Sequence, residues 1–264
     1  MSEWEQQWQQ WHADRERRLA DPHGFLAVTG LHFLSETPQR FPDAPGEWRT
    51  GPAGVTVGLA AGESLTVDGV TVTGRHEFGV IGERGGFTAW SGDTAVEVAK
   101  RGGFDIVRPR HPDHPLRTGF RGVPAFPPTE KWALTGRFVP FDATREVTVG
   151  AAVEGLEHVY AAPGRVEFEA LGTPLALTVF NGHSPGSLLA LFTDETSGVS
   201  TYAANRSLAI DPPAADGTVL LDFNRATNLP CAFTDHATCP LPPAGNRLPV
   251  AVEAGEKIPY ERRS

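Results

Sequence analysis

The sequence has 264 residues and a formal net charge of −9, with 40% hydrophobic and 21% charged residues, 29 glycines and 23 prolines. That length buries a full core as one large domain or two of ordinary size, and an acidic chain without a concentrated basic face excludes a nucleic-acid backbone as partner. No stretch reaches the ~18 apolar residues that cross a bilayer and the N-terminus lacks a secretory pattern, so a soluble, cytoplasmic chain with no membrane partner is expected.

Ser2 and Glu5 form a capping box, and Trp4, Trp8, Trp11, Arg15 and Leu19 recur at helical spacing until Asp21-Pro22. The tryptophan face is expected to pack on the body of the protein. Glu3, Glu5, Asp14 and Glu16 deny the polar face the basic excess of a membrane anchor.

From Phe25 the pattern changes to short apolar runs broken by glycine: Phe25–Val28, Leu31–Leu34, Val55–Val57, Ser64–Val72 and Ala95–Val98. Asp68-Gly69 between two Val/Thr runs predicts a two-residue hairpin. Arg108-Pro-Arg-His-Pro-Asp-His-Pro-Leu-Arg117, with Pro124, Pro127 and Pro128 after it, reads as a linker, His111 and His114 included. The expected division is therefore an N-terminal helix over 1–24, a smaller β region over 25–128 and a larger antiparallel β domain over 129–264.

The larger part offers strand candidates at Trp132–Val139, Glu146–Val149, Arg165–Ala170, Pro174–Phe180, Ser187–Phe192 and Thr218–Phe223. Without long helical periods between them they predict a mainly β fold, an antiparallel sandwich or barrel on which the smaller region packs.

Three constellations in this part carry chemistry. Gly182-His-Ser184-Pro-Gly186 matches the nucleophile elbow of a serine-type hydrolase, with His236 later in the chain as its base, but a β-turn explains it as well. In the second, Asp194–Gly198 reads as a turn, and Tyr202 and Arg206, four apart on an extended segment, are expected on one face. There they hold an anion or carboxylate, or Arg206 pairs with Asp222 or Glu256. The third is the proline-rich loop from Asn224 to Pro249, too broken for helix or central strand. Its Cys231, His236 and Cys239 leave three readings open: zinc ligation, a short disulfide, or packed thiols, with the two cysteines near one another in each. No other cofactor is expected.

The runs FTDETSGVSTYAANR, LDFNRATNLPCAF and CPLPPAGNRLPVAVEAGEK resemble the signature of the domain of unknown function 1684 family, whose members carry F-x-D-x-T-S-G-x-x-T-Y and D-F-N-x-A-x-N-P-x-C-A elements. The resemblance extends more faintly to Gly24-Phe25-Leu, Gly30-Leu31, Phe120-Arg-Gly122 and Trp132. The chain departs from the pattern at Leu229 and Asn205, which touches local loop geometry. The resemblance implies a mostly β fold and no established activity.

Together these features point to a small-molecule binding β protein whose polar pocket gathers Asp194, Tyr202, Arg206, Asp222, Asn224, Asn228, His236, Asn246 and Glu256 around an anionic or carboxylate ligand. The alternatives are the Ser184 and His236 hydrolase, and a β module in which those groups only close long loops.

Overall fold

The structure, a computed structural model, describes residues 2–262. The chain starts as its capping box dictates: Ser2 N donates to Glu5 Oε2 at 2.7 Å and Glu5 N to Ser2 Oγ at 3.2 Å, meeting donors that a helix start leaves open. The helix, α1, spans Glu3–Leu19, with acids in its first turn and Arg17 and Arg18 in its last, the arrangement its dipole favours. No helix among the described residues is long and apolar enough to cross a membrane.

The fold is mainly β, as the alternation predicted, and divides into two compact units. One comprises Arg17–Phe120 with Thr234–Ala237. Its strands are β1 (His32–Phe33), β2 (Gln39–Phe41), β3 (Ala44–Arg49), β4 (Val55–Gly58), β5 (Leu65–Val67), β6 (Val70–Val72), β7 (Arg75–Gly79), β8 (Gly86–Ser91), β9 (Thr94–Arg101) and β10 (Phe104–Arg110), followed by a one-turn α2 (Pro115–Thr118). They form an antiparallel sheet in the order β1-β10-β9-β8-β5-β6 and a second in the order β2-β3-β4-β7. The Asp68-Gly69 hairpin is present, with φ of 49° and 79° at its two turn residues, the left-handed pair that a type I′ turn requires. Trp48, Val55, Val57, Leu65, Val96, Val98 and Val107 centre the core of this unit.

Arg108-Pro109-Arg110, expected as linker, is instead the end of β10. Proline is tolerated there because a strand residue points its N–H and C=O to the same side. Pro109 O accepts from Thr29 N at 3.0 Å, so its missing donor costs no bond to β9.

The other unit takes in Met1–Glu16, Arg121–Phe233 and Thr238–Ser264. Strands β11 (Ala133–Gly150), β12 (Glu157–Ala170), β13 (Thr173–Asn181), β14 (Leu188–Phe192), β15 (Arg206–Ile210) and β16 (Thr218–Asp222) form one antiparallel sheet in the order β15-β14-β13-β12-β11-β16, whose edges β15 and β16 approach each other as a half-barrel. Two runs expected as separate strands are the single β11, whose register shifts between Pro140 and Arg145; a bulge lets one strand turn the corner without ending. Inside the curve Phe223 meets Trp132, Phe168 and Phe192 with ring centroids 5.5–6.2 Å apart. After β16 the chain runs through 3-10 turns at Phe223–Arg225, Pro230–Ala232 and Ala244–Asn246 without another strand, as the prolines require.

Candidate functional site

Of the nine residues expected to form a ligand pocket, six are buried and Tyr202, Asp222 and His236 are partly exposed; the side chains of all but His236 bond to backbone. Arg206 opens β15 and is 1% exposed. Its guanidinium donates to Asp194 Oδ2 at 2.5 Å, to Val252 O at 3.1 Å and to Ala254 O, while its Cζ lies 5.2 Å from the Phe192 ring centroid. Burial pulls the Arg206 pKa down and Asp194 opposes that pull. The partner is Asp194 rather than the expected Asp222 or Glu256. Asp194 also accepts from Thr196 N at 2.6 Å, so one carboxylate closes its own turn and anchors β15.

Tyr202 and Arg206 do not share a face. Residues 203 and 204 bend, because Thr201 and Gly198 close a compact turn and the extended run begins only at Arg206. Tyr202 instead sends its hydroxyl to Cys231 O at 2.9 Å.

The asparagines act as backbone substitutes. Asn224 accepts from Thr129 N at 2.9 Å and donates to Thr129 O at 3.0 Å, and Asn246 does the same for Thr178 while also donating to Leu191 O at 2.8 Å. Each amide thereby plays the part of one more strand residue. Asn228 donates to Lys257 O at 2.8 Å, and its own N–H goes to Glu256 Oε2 at 2.6 Å. Glu256, 1% exposed, takes Arg15 Nε of α1 at 3.0 Å, and Trp8 Nε1 of α1 donates to Asn224 O at 2.8 Å. Asp222 caps the turn after β16 and pairs with Arg225 at 3.2 Å. The structure therefore brings Asp194 to Arg206, Asn228 to Glu256 and Asp222 to Asn224, leaves Asn246 on β13 and β14, and places His236 in the other unit.

Cys231 and Cys239 are buried and not disulfide bonded, with Cys231 N donating to Cys239 Sγ at 3.3 Å. A hydrogen bond from Cys239, against burial, holds the Cys231 thiol below its usual range. No group of three His, Cys, Asp or Glu gathers at metal-binding distance among the described residues. Ser184 sits in the exposed turn between β13 and β14, where Ser187 N donates to its carbonyl at 3.0 Å. A strand follows it rather than the helix that an elbow needs to direct N–H groups at an oxyanion.

Open space lies in the smaller unit. A cavity of about 460 Å³ is lined by His23, Arg84, Gly86, Thr88, Trp90, Ala95, Glu97, Arg101 and Arg110, among others. Glu97 is its chemical centre. Arg108 holds it bidentately with both contacts at 2.9 Å, Arg101 adds one at 2.9 Å, and Arg110 donates to Glu97 Oε2. Burial pushes the Glu97 carboxyl up, but Arg108 and Arg110 outweigh it and the net shift is downward. Arg108 and Arg110 each stand 4.9 Å from the Phe25 ring centroid, and Arg110 Nε is buried without a hydrogen-bond partner. In a cavity of about 530 Å³ on the same unit the charged groups have partners: Arg40 pairs with Glu63 at 2.8 Å, and Asp43 meets His32 at 2.8 Å and accepts from Thr29 at 2.7 Å.

Sequence reasoning missed this cluster because Arg108 and Arg110 were assigned to a linker. Counting back from the Gly102-Gly103 turn would have found it, since that register sets Glu97 opposite Arg108 and Ala95 opposite Arg110.

No curated protein matches the chain. A solved structure that does, an uncharacterized protein of Haloarcula marismortui determined by solution NMR, is 27% identical over 53% of this chain and 78% of that one, with a TM-score of 0.45. The family model described as "Protein of unknown function (DUF1684)" matches residues 118–257, more than half of the sequence, and the chain belongs to that family.

Proposed function

We propose that this protein binds a small anionic molecule and that its ligand site is the arginine-lined cavity of the smaller unit, with the motif residues of the larger unit serving as the frame of its loops. The observation that carries the reading is the charge imbalance at that cavity, where Arg101, Arg108 and Arg110 all share the one carboxylate of Glu97. Guanidinium groups already oriented by a shared carboxylate need little reordering to receive an anion, which lowers the cost of binding. Arg206 belongs to the frame in this reading, because its side chain is 1% exposed, whereas Arg101, which likewise binds a carboxylate and two carbonyls, borders open space. Two buried thiols not joined as a disulfide support a reducing, cytoplasmic home.

The test is calorimetric titration with inorganic phosphate and with citrate at low ionic strength. Wild type binds one or both, and Arg101→Gln weakens that binding roughly tenfold, the scale of one charge-assisted contact. If neither anion binds more tightly than chloride at equal ionic strength, the reading is wrong.

A further inference from the structure

Beside the cationic wall of this cavity stands an aromatic one. Trp90 on β8 is 39% exposed and borders the same cavity. On β8, alternation sets Gly86, Thr88 and Trp90 on one face of the sheet, the face that carries Glu97 and Arg101 of β9. Phe87 also borders the cavity, but alternation turns it to the opposite face, where its ring centroid lies 5.7 Å from that of Phe78, so Trp90 is the ring on the arginine face.

The His23 ring meets the indole at 4.8 Å and 82°, a T-shaped contact, and His23 Nε2 is fixed by Asp93 O at 2.8 Å. One imidazole covers at most one side of the indole, and Trp90 borders the cavity. Between the indole and the arginines the floor is low: Ala95, Thr88, and Gly86, where a Cβ would lie 2.9 Å from Val98 O. A flat ring therefore has room to lie against Trp90 with a charged group directed at Arg101 and Arg110. Three arginines, Arg101, Arg108 and Arg110, share the one carboxylate of Glu97, and that excess of positive charge matches a dianion better than a monocarboxylate. The volume falls within the ~300–1,000 Å³ range of small-ligand pockets.

We propose that the ligand is an aromatic or heteroaromatic phosphate monoester, the chemistry of a mononucleotide, with its ring stacked on Trp90 and its phosphate held by Arg101 and Arg110. This rests on the anion-binding reading above and deepens it. The deciding experiment compares phenyl phosphate with methyl phosphate, which share a head group and differ in the ring, by calorimetry on the full chain. Phenyl phosphate binds wild type roughly tenfold more tightly, the scale of one aromatic stack. Trp90→Leu erases that advantage, bringing the two affinities together, and Trp90→Phe restores part of it. Thermal unfolding of both variants checks that each is folded. If methyl phosphate binds and phenyl phosphate binds no better, or if the advantage survives in Trp90→Leu, the stacking proposal is overturned and anion binding stands. If neither phosphate binds, the anion-binding reading falls and takes this one with it.

Discussion

Replacing Asp194 by asparagine removes a charge from the centre of the larger unit while keeping the shape and the acceptor for Thr196 N. Asp194 and Arg206 have side chains 0% and 1% exposed, so solvent screens the pair little. Removing one partner of such a pair costs about 3–5 kcal/mol, because the remaining ion is left without its counter-charge. Two carbonyls, Ala254 O and Val252 O, still solvate the guanidinium, which places the expected loss near the lower figure, about 3 kcal/mol. Against a typical stability of about 5–15 kcal/mol that is a large fraction, and it lowers Tm by about 6–12 °C for a unit of this size. Urea unfolding of Asp194→Asn, Arg206→Met and the double variant yields the coupling between the two side chains, expected at about 2–3 kcal/mol. A coupling below about 0.5 kcal/mol, or a single variant within 1 kcal/mol of wild type, would show that the pair is not the brace described here.

Glu97→Gln is expected to cost about 3 kcal/mol at pH 7, since it strips the shared counter-charge from three arginines. Because the Glu97 carboxyl is held below its usual range, its contribution is full above the ordinary carboxylate pKa of about 4.3 and fades as pH falls through the folded value; urea midpoints between pH 3 and 7 should therefore fall less steeply in the variant. Gly255→Ala should cost about 1–3 kcal/mol by chemical denaturation, since φ is +75° and the new Cβ would lie 2.5 Å from Ala226 O, whereas Gly69→Ala, at φ +79° in open space, should lose only the roughly 1 kcal/mol of the left-handed backbone; equal losses would contradict the packing argument. Both cysteines should resist a thiol reagent in the native protein and react once it is unfolded, and fast native labelling of either would refute their burial.

What was legible in the sequence was what is encoded locally. The capping box at Ser2 and Glu5 and the Asp68-Gly69 hairpin are each written in adjacent residues, and both formed as read. Strand β15 was not predicted because Arg206-Ser-Leu-Ala-Ile is short and opens on a charge, and only the fold shows that Asp194 neutralises it. Single β11 was read as two strands because a bulge and a chain break look alike when no partner strand is known. The motif residues were legible as a group, since buried asparagines that replace backbone must be asparagines, but whether a guanidinium faces a ligand or a carboxylate depends on a contact twelve residues away. The arginine cluster depends on strand register, which the linker assignment hid.

The contacts of α1 also bear on how the chain is made. Trp8 waits for Asn224 and Arg15 for Glu256, partners separated from them by 216 and 241 positions, while Arg17–Phe120 supplies all but Thr234–Ala237 of a separate compact unit. During synthesis the middle of the chain can therefore mature while its first helix is still unanchored, with an exposed tryptophan stripe. That stripe stays open to chaperones, and to other nascent chains, until Glu256 has left the ribosome. Contacts of such sequence separation are slow to form. Shortening that interval by moving α1 to the other end of the chain, beyond residue 262, would turn the longest-range contacts of the protein into short ones and should raise its yield of folded chains more than its final stability.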